Sequence, residues 1–150
     1  MNNSKDKLNK VPLVLGTTSS LNNSFEDSLN LQVQANGTLR PVSNPKMADY
    51  RCKIKIEYPT YQEELEIKKL CTEYDETHAV HYIDQESLTE WRVRRCLADW
   101  NLHDVVPGLT GKLIRMQGKL EDKSMERFKS LPPLIRKRII DKINRALGSY

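Results

Sequence analysis

The chain has no apolar run near the roughly 18–20 residues that a membrane-spanning helix requires. The longest near its start, residues 11–15, is broken by Pro12 and is shorter than a signal-peptide core, despite Lys5, Lys7 and Lys10 before it. Cysteine is scarce. Cys52, Cys71 and Cys96 are odd in number and lack a framework spacing, which argues against structural disulfides and for a reducing cytoplasm. Aromatic residues make up 7% of the chain, and hydrophobic residues only 38%, so part of it is not core. At 150 residues the expectation is one domain with an added arm.

Catalytic and metal signatures are also missing. Residues 108–112 read GLTGK, but a phosphate-binding loop needs four residues between its glycines and Ser or Thr after the lysine. Cys71, His78, His81 and Cys96 lack the paired spacing of a zinc site, and both cysteines fall on apolar stripes. No local motif couples a nucleophile to a base. The carboxylates of Glu63, Glu64, Glu66, Glu73, Asp75 and Glu76 read as a solvated acidic face. The expectation is a protein that is not an enzyme and holds no cofactor or metal.

What the chain does contain is uneven charge. Residues 49–111 hold 8 Lys/Arg against 13 Asp/Glu, whereas residues 112–150 hold 11 against 4. The net charge of +4 therefore conceals an acidic middle and a basic end, able to attract each other or two different partners. Residues 1–48 are different material, with eight Asn and six Ser. Such a composition buries too little to offset the entropy of ordering. Within it, Leu29, Leu31 and Val33 alternate with polar residues, and Asn36-Gly37 offers a two-residue turn before residues 38–42. Pro41 restricts that second strand to an edge. The division is thus a polar arm over 1–28 and a single α+β domain over 29–150.

Tyr50, Cys52, Ile54, Ile56 and Tyr58 alternate with charged residues and predict a strand ended by Pro59. Thr60 and Glu63 then have capping-box spacing at the start of a helix. Its stripe is Ile67, Leu70, Cys71 and Tyr74, with Tyr61 and Leu65 well off it. Residues 84–102 predict a second helix carrying both tryptophans on opposite sides. Val93, Cys96, Leu97 and Trp100 form its core stripe, while Leu88 and Trp91 stand on the other side among Arg92, Arg94 and Arg95. Further helices are expected over 112–120, from an Asp122 cap to Leu131, and from Pro133 to a stop at Gly148. The fold class is therefore α+β: a short antiparallel hairpin or sheet packed on a bundle of four to five helices, with a polar N-terminal arm.

Two surfaces are candidates for function. Tyr61, Leu65, Leu88, Trp91, Arg92 and Arg95 combine aromatic, aliphatic and arginine side chains as protein interfaces do; the plainer reading is that another segment covers them. Arg138, Lys142 and Arg145 lie opposite the isoleucines of the last helix, with Lys137 nearby, and suit phosphate or an acidic partner. No aromatic residue for base stacking occurs over 129–149, so an ordinary amphipathic helix is the simpler account and nucleic acid a lesser one.

The order of a strand over 52–58, an acidic helix after Pro59-Thr60-Tyr61, a helix reading RVRRCLADWNL and a closing LPPLIRKRIIDKIN segment resembles the small tail assembly chaperones of tailed bacteriophages. The resemblance spans residues 50–148. It implies a non-enzymatic adaptor in the infected host's cytoplasm that binds the tape-measure and tail-tube proteins; the split charge separately allows self-association between copies. A structural component of the tail, baseplate or neck, kept in the virion, is the neighbouring reading.

Overall fold

A computed structural model describes residues 23–102 and 112–148. Most of the polar arm and most of the 101–111 loop, including Gly108 and Gly111, lie outside the described residues. So does the apolar run over 11–15. Strand β1 (Ser24–Val33) pairs antiparallel with β2 (Leu39–Pro41) and with β3 (Tyr50–Glu57). It begins within the stretch expected as arm, because Ser24 to Ser28 find ladder partners from Glu57 to Lys53 along β3. The β1–β2 connection is wider than a two-residue turn. Gly37 N–H bonds Gln34 C=O at 2.9 Å, and Gly37 takes φ 85°, where a side chain would be strained.

Beyond Thr60, helix α1 (Tyr61–Cys71) runs directly into hairpin β4 (Thr72–Asp75) and β5 (Val80–Ile83). The capping box is present: Thr60 Oγ1 accepts from Glu63 N–H at 3.1 Å and Glu63 Oε1 from Thr60 N–H at 2.8 Å. At the far end the Thr72 hydroxyl donates to Lys68 C=O at 2.7 Å, and the backbone turns extended. Tyr74 therefore belongs to a strand and is exposed, as is Leu70; only Ile67 and Cys71 of the expected stripe are buried.

Helix α2 (Gln85–Cys96) is shorter than its sequence pattern, and β6 (Leu97–Trp100) follows at once. Leu97 pairs with Ile56 and Trp100 with Ile54, while Asp99 pairs with Lys55. Ala98 is the extra residue of a bulge, so Leu97 and Trp100, three apart, reach the same buried face. That spacing imitates a helical stripe. The four-stranded order is β2-β1-β3-β6. The expected helix over 112–120 is instead a hairpin, β7 (Arg115–Met116) and β8 (Lys119–Leu120). Gln117 and Gly118 both have positive φ, 55° and 76°, as a tight two-residue turn needs.

Helices α3 (Asp122–Lys129) and α4 (Pro133–Leu147) complete the described elements. Glu121, rather than Asp122, precedes α3 as its cap, whereas Pro133 opens α4 and Gly148 ends it as expected. Ile135, Ile139 and Ile143 of α4 share one core with Val93 and Cys96 of α2, Met125 and Phe128 of α3, and the inner sheet face of Leu29, Leu31, Cys52, Ile54 and Ile56. The protein is α+β with antiparallel sheets and four α-helices among the described residues. Three of them line that core; α1 packs instead in a separate cluster of Ile67, Cys71 and Leu88, joined by Ile83 and Trp91. No helix among the described residues is long and apolar enough to cross a membrane. Ile139→Ala is expected to destabilise by roughly 2–5 kcal/mol in urea unfolding, because it leaves a cavity in the shared core. Leu134→Ala, one turn away on the exposed side, is expected to change stability by no more than about 0.5 kcal/mol.

Candidate functional site

Two arginines of α2 reach across to two glutamates of α1. Arg92 Nη2 lies 3.4 Å from Glu64 Oε1, and its Nη1 donates to Asn144 of α4 at 3.2 Å. Arg95 grips Glu63 through two bonds of 2.9 Å, from Nε and Nη2, and donates to Glu57 of β3 through Nη1 at 2.9 Å. Arg115 extends the network from β7, meeting Glu57 at 3.2 Å and donating to the Leu97, Arg95 and Gly118 carbonyls. A planar guanidinium suits such forked contacts, which a lysine would not reproduce.

Burial works to raise the Glu63 carboxyl, but hydrogen bonds from Arg95 and Thr60 outweigh it and hold its pKa below the ordinary 4.5. Burial likewise works against the charged Arg95, and Glu63 and Glu57 outweigh it to raise its pKa. Burial pushes the Cys96 thiol up to about 12, and it raises Cys71 as well. All three cysteines are buried and none is in a disulfide. Cys71 and Cys96 lie in separate clusters, and His78 and His81 are on the exposed hairpin.

The expected protein-contact set is therefore divided. Leu88 and Arg92 are buried inside the chain, and Arg95 is committed to Glu57 and Glu63. Trp91 is half-buried, with Lys119 Nζ 5.3 Å and the Arg94 guanidinium 5.9 Å from its ring centroid. Such cation–π contacts further occupy its face within the chain. Leu65 is half-buried, and Tyr61 stands 79% exposed. On the last helix, Lys137 pairs with Asp141 at 3.2 Å and Lys142 with Asp27 of β1 at 3.0 Å. Arg138 is half-buried. Arg145 is exposed, beside a cleft of about 570 Å³ that Lys68, Leu88, Arg92 and Asn144 also line. The basic face is thus partly neutralised within the fold.

A further group of exposed large apolar residues is one that sequence reasoning missed. Leu70 is 62% exposed at the end of α1, and Tyr74, Val80 and Tyr82 are exposed on β4–β5. Directly opposed residues share a face, so Tyr74 lies beside His81, with rings 4.9 Å apart, and Tyr82 beside Glu73. The Tyr82 hydroxyl donates to Glu73 Oε1 at 2.9 Å, which raises its pKa above 10.0. Asp75 ties the turn, accepting from Thr77 N–H at 3.0 Å and contacting His78 Nδ1 at 2.7 Å. The hydrogen bond with His78 lowers the Asp75 pKa below 3.8. The legible signal was two β-prone runs, Thr72–Asp75 and Val80–Ile83, on either side of an aspartate-led turn.

Comparison of the chain with protein-family models, curated proteins and solved structures finds no match.

A carboxyl whose pKa is lowered by folding contributes stability above its ordinary pKa and loses it as pH falls through the folded value. Glu63 is such a group. The urea midpoint is therefore expected to fall as pH drops from about 6 to 3, and Glu63→Gln is expected to make that acid limb shallower. An unchanged limb would show that Arg95 does not hold the Glu63 charge.

Proposed function

We propose that this chain is a non-enzymatic protein-binding factor in bacteriophage tail assembly, an adaptor for the tape-measure and tail-tube proteins. One observation carries the protein-binding part. Tyr61, Leu70, Tyr74, Val80 and Tyr82 are all large, all exposed, and all borne by three consecutive elements. They do not share one face, since Tyr74 lies on the opposite side of the hairpin from Val80 and Tyr82, but so many on one short segment exceed the single exposed apolar side chains that are ordinary. Tyrosine suits such a surface because it offers much contact area at little entropic cost. The tail-assembly part rests on the resemblance in layout, from β3 through α1 and α2 to the LPPLIRKRIIDKIN segment. The adaptor works in the cytoplasm of the infected bacterial host.

A permanent place in the tail, baseplate or neck would use the same surface, and its signature is the chain's presence in purified virions. Nucleic-acid binding is the weaker reading, since Lys137 and Lys142 already meet carboxylates of their own chain. Co-expression with candidate tape-measure and tube proteins, followed by pull-down, tests the adaptor role. The wild-type chain is expected to retain at least one of them. Tyr61→Ala combined with Leu70→Ala is expected to reduce retention several-fold while circular dichroism stays unchanged. Retention of neither partner, or equal retention by the folded variant, would contradict the proposal.

A further inference from the structure

The edge strands of the main sheet carry devices against pairing, and the part of β1 that β2 leaves uncovered carries Glu26 and Asp27. β2 is three residues long and contains Pro41, and β6 is bulged at Ala98. The two-stranded β4–β5 sheet has no third strand among the described residues, so each of its strands has an outer edge. The β4 edge carries Glu73 and Asp75. The β5 edge, Val80–Ile83, carries no carboxylate, lysine or arginine, no proline and no bulge. It lacks the devices that keep an open strand from pairing.

We propose that β5 pairs with β5 of a second copy of this chain, antiparallel, across a two-fold axis at His81. Hydrogen-bond alternation and side-chain pairing together set this register. Asp84 N–H donates to Cys71 C=O at 2.8 Å, which makes Cys71 and Asp84 a hydrogen-bonded pair. Alternating from there along the ladder, Glu73 with Tyr82 and Asp75 with Val80 are the bonded pairs within the hairpin. The backbone groups of His81 and Ile83 point away from β4. A two-fold axis perpendicular to the sheet must bring like-facing residues together, so it passes through a residue: through His81 as a hydrogen-bonded pair, or through Tyr82 as a non-bonded one. At Tyr82 the register would set Val80 opposite Asp84 of the other copy, and at Ile83 it would run into α2, which starts at Gln85. At His81 the two copies exchange reciprocal N–H to C=O bonds.

The side chains then agree with the backbone. With His81 at the axis, Val80 of each copy lies opposite Tyr82 of the other, in non-bonded pairs where side chains approach most closely. Both residues are about half exposed in the single chain, at 49% and 47%. The equivalent pairing of β4 about Tyr74 would set Glu73 opposite Asp75 of the other copy twice, and like charges directly opposed are destabilising. Charge thus selects β5 over β4. A two-stranded hairpin is marginal alone, and this pairing makes it part of a four-stranded sheet.

His81→Cys tests the proposal on the full chain. Opposed residues in a bonded antiparallel pair lie about 5.5 Å apart at Cα, within the roughly 4.4–6.8 Å that a disulfide spans. The native cysteines are buried and do not compete. Mild oxidation is expected to convert His81→Cys largely to a covalent dimer while Glu73→Cys, across the hairpin, stays monomeric. Equal cross-linking of the two would overturn the proposal. Sedimentation equilibrium gives an answer without a new thiol. Val80→Glu is expected to weaken association several-fold, and mixing it with Tyr82→Lys is expected to restore it, because glutamate then faces lysine across the axis. A wild-type chain monomeric up to millimolar concentration, or a mixture no tighter than either variant alone, would overturn it. Both measurements use this chain alone, so their outcome is separate from that of the tail-protein pull-down.

Discussion

The bidentate bond between Arg95 and Glu63 is the contact on which the outer half of the molecule depends. Helix α1 stands outside the main core, with only Ile67 and Cys71 as buried apolar residues of its own. Burying two such side chains contributes only a few kcal/mol, so polar contacts must help position it. Glu63 serves twice. Its Oε1 closes the capping box on Thr60 N–H and receives Arg95 Nη2, which links the helix start to α2. Through Glu57 the same arginine reaches β3, and through Arg115 the network reaches the β7–β8 hairpin. The hairpin β4–β5 continues directly from α1, so its orientation follows from the same seam.

Much of the fold was legible because local chemistry and tertiary burial agree there. The alternation of β3, the Thr60–Glu63 box, the isoleucine stripe of α4 and its Pro133 and Gly148 ends are all where pattern places them. The errors have physical causes. Leu97 and Trp100 keep helical spacing because a bulge at Ala98 restores their common face. Residues 113, 116 and 120 look like one helical side, yet Gly118 is a turn residue at positive φ and Met116 is exposed. Tyr74 continues the periodicity of α1 past the residue where Thr72 ends it.

The candidate site was less legible than the fold. An arginine on a predicted helix reads as surface, since its fate depends on carboxylates supplied by distant elements. Arg92 and Arg95 meet Glu64 and Glu63, roughly thirty residues earlier, and become internal ties. Leu88 is covered by Ile67 and Cys71 for the same reason. Tyr61 is exposed because it lies off the buried stripe of its own helix, a local property. The remaining apolar surface sits on a hairpin whose short strands were lost between two stronger helical patterns.

The central claim is that the arginine–glutamate seam holds α1 and β4–β5 to the rest of the chain as one unit. Native-state hydrogen exchange on Arg95→Met tests it most directly. The expected result is a common loss of protection across α1, β4 and β5, with amides of β1, β3 and α4 close to their wild-type values. Unchanged protection of α1, or an equal loss throughout the sheet and α4, would contradict the account.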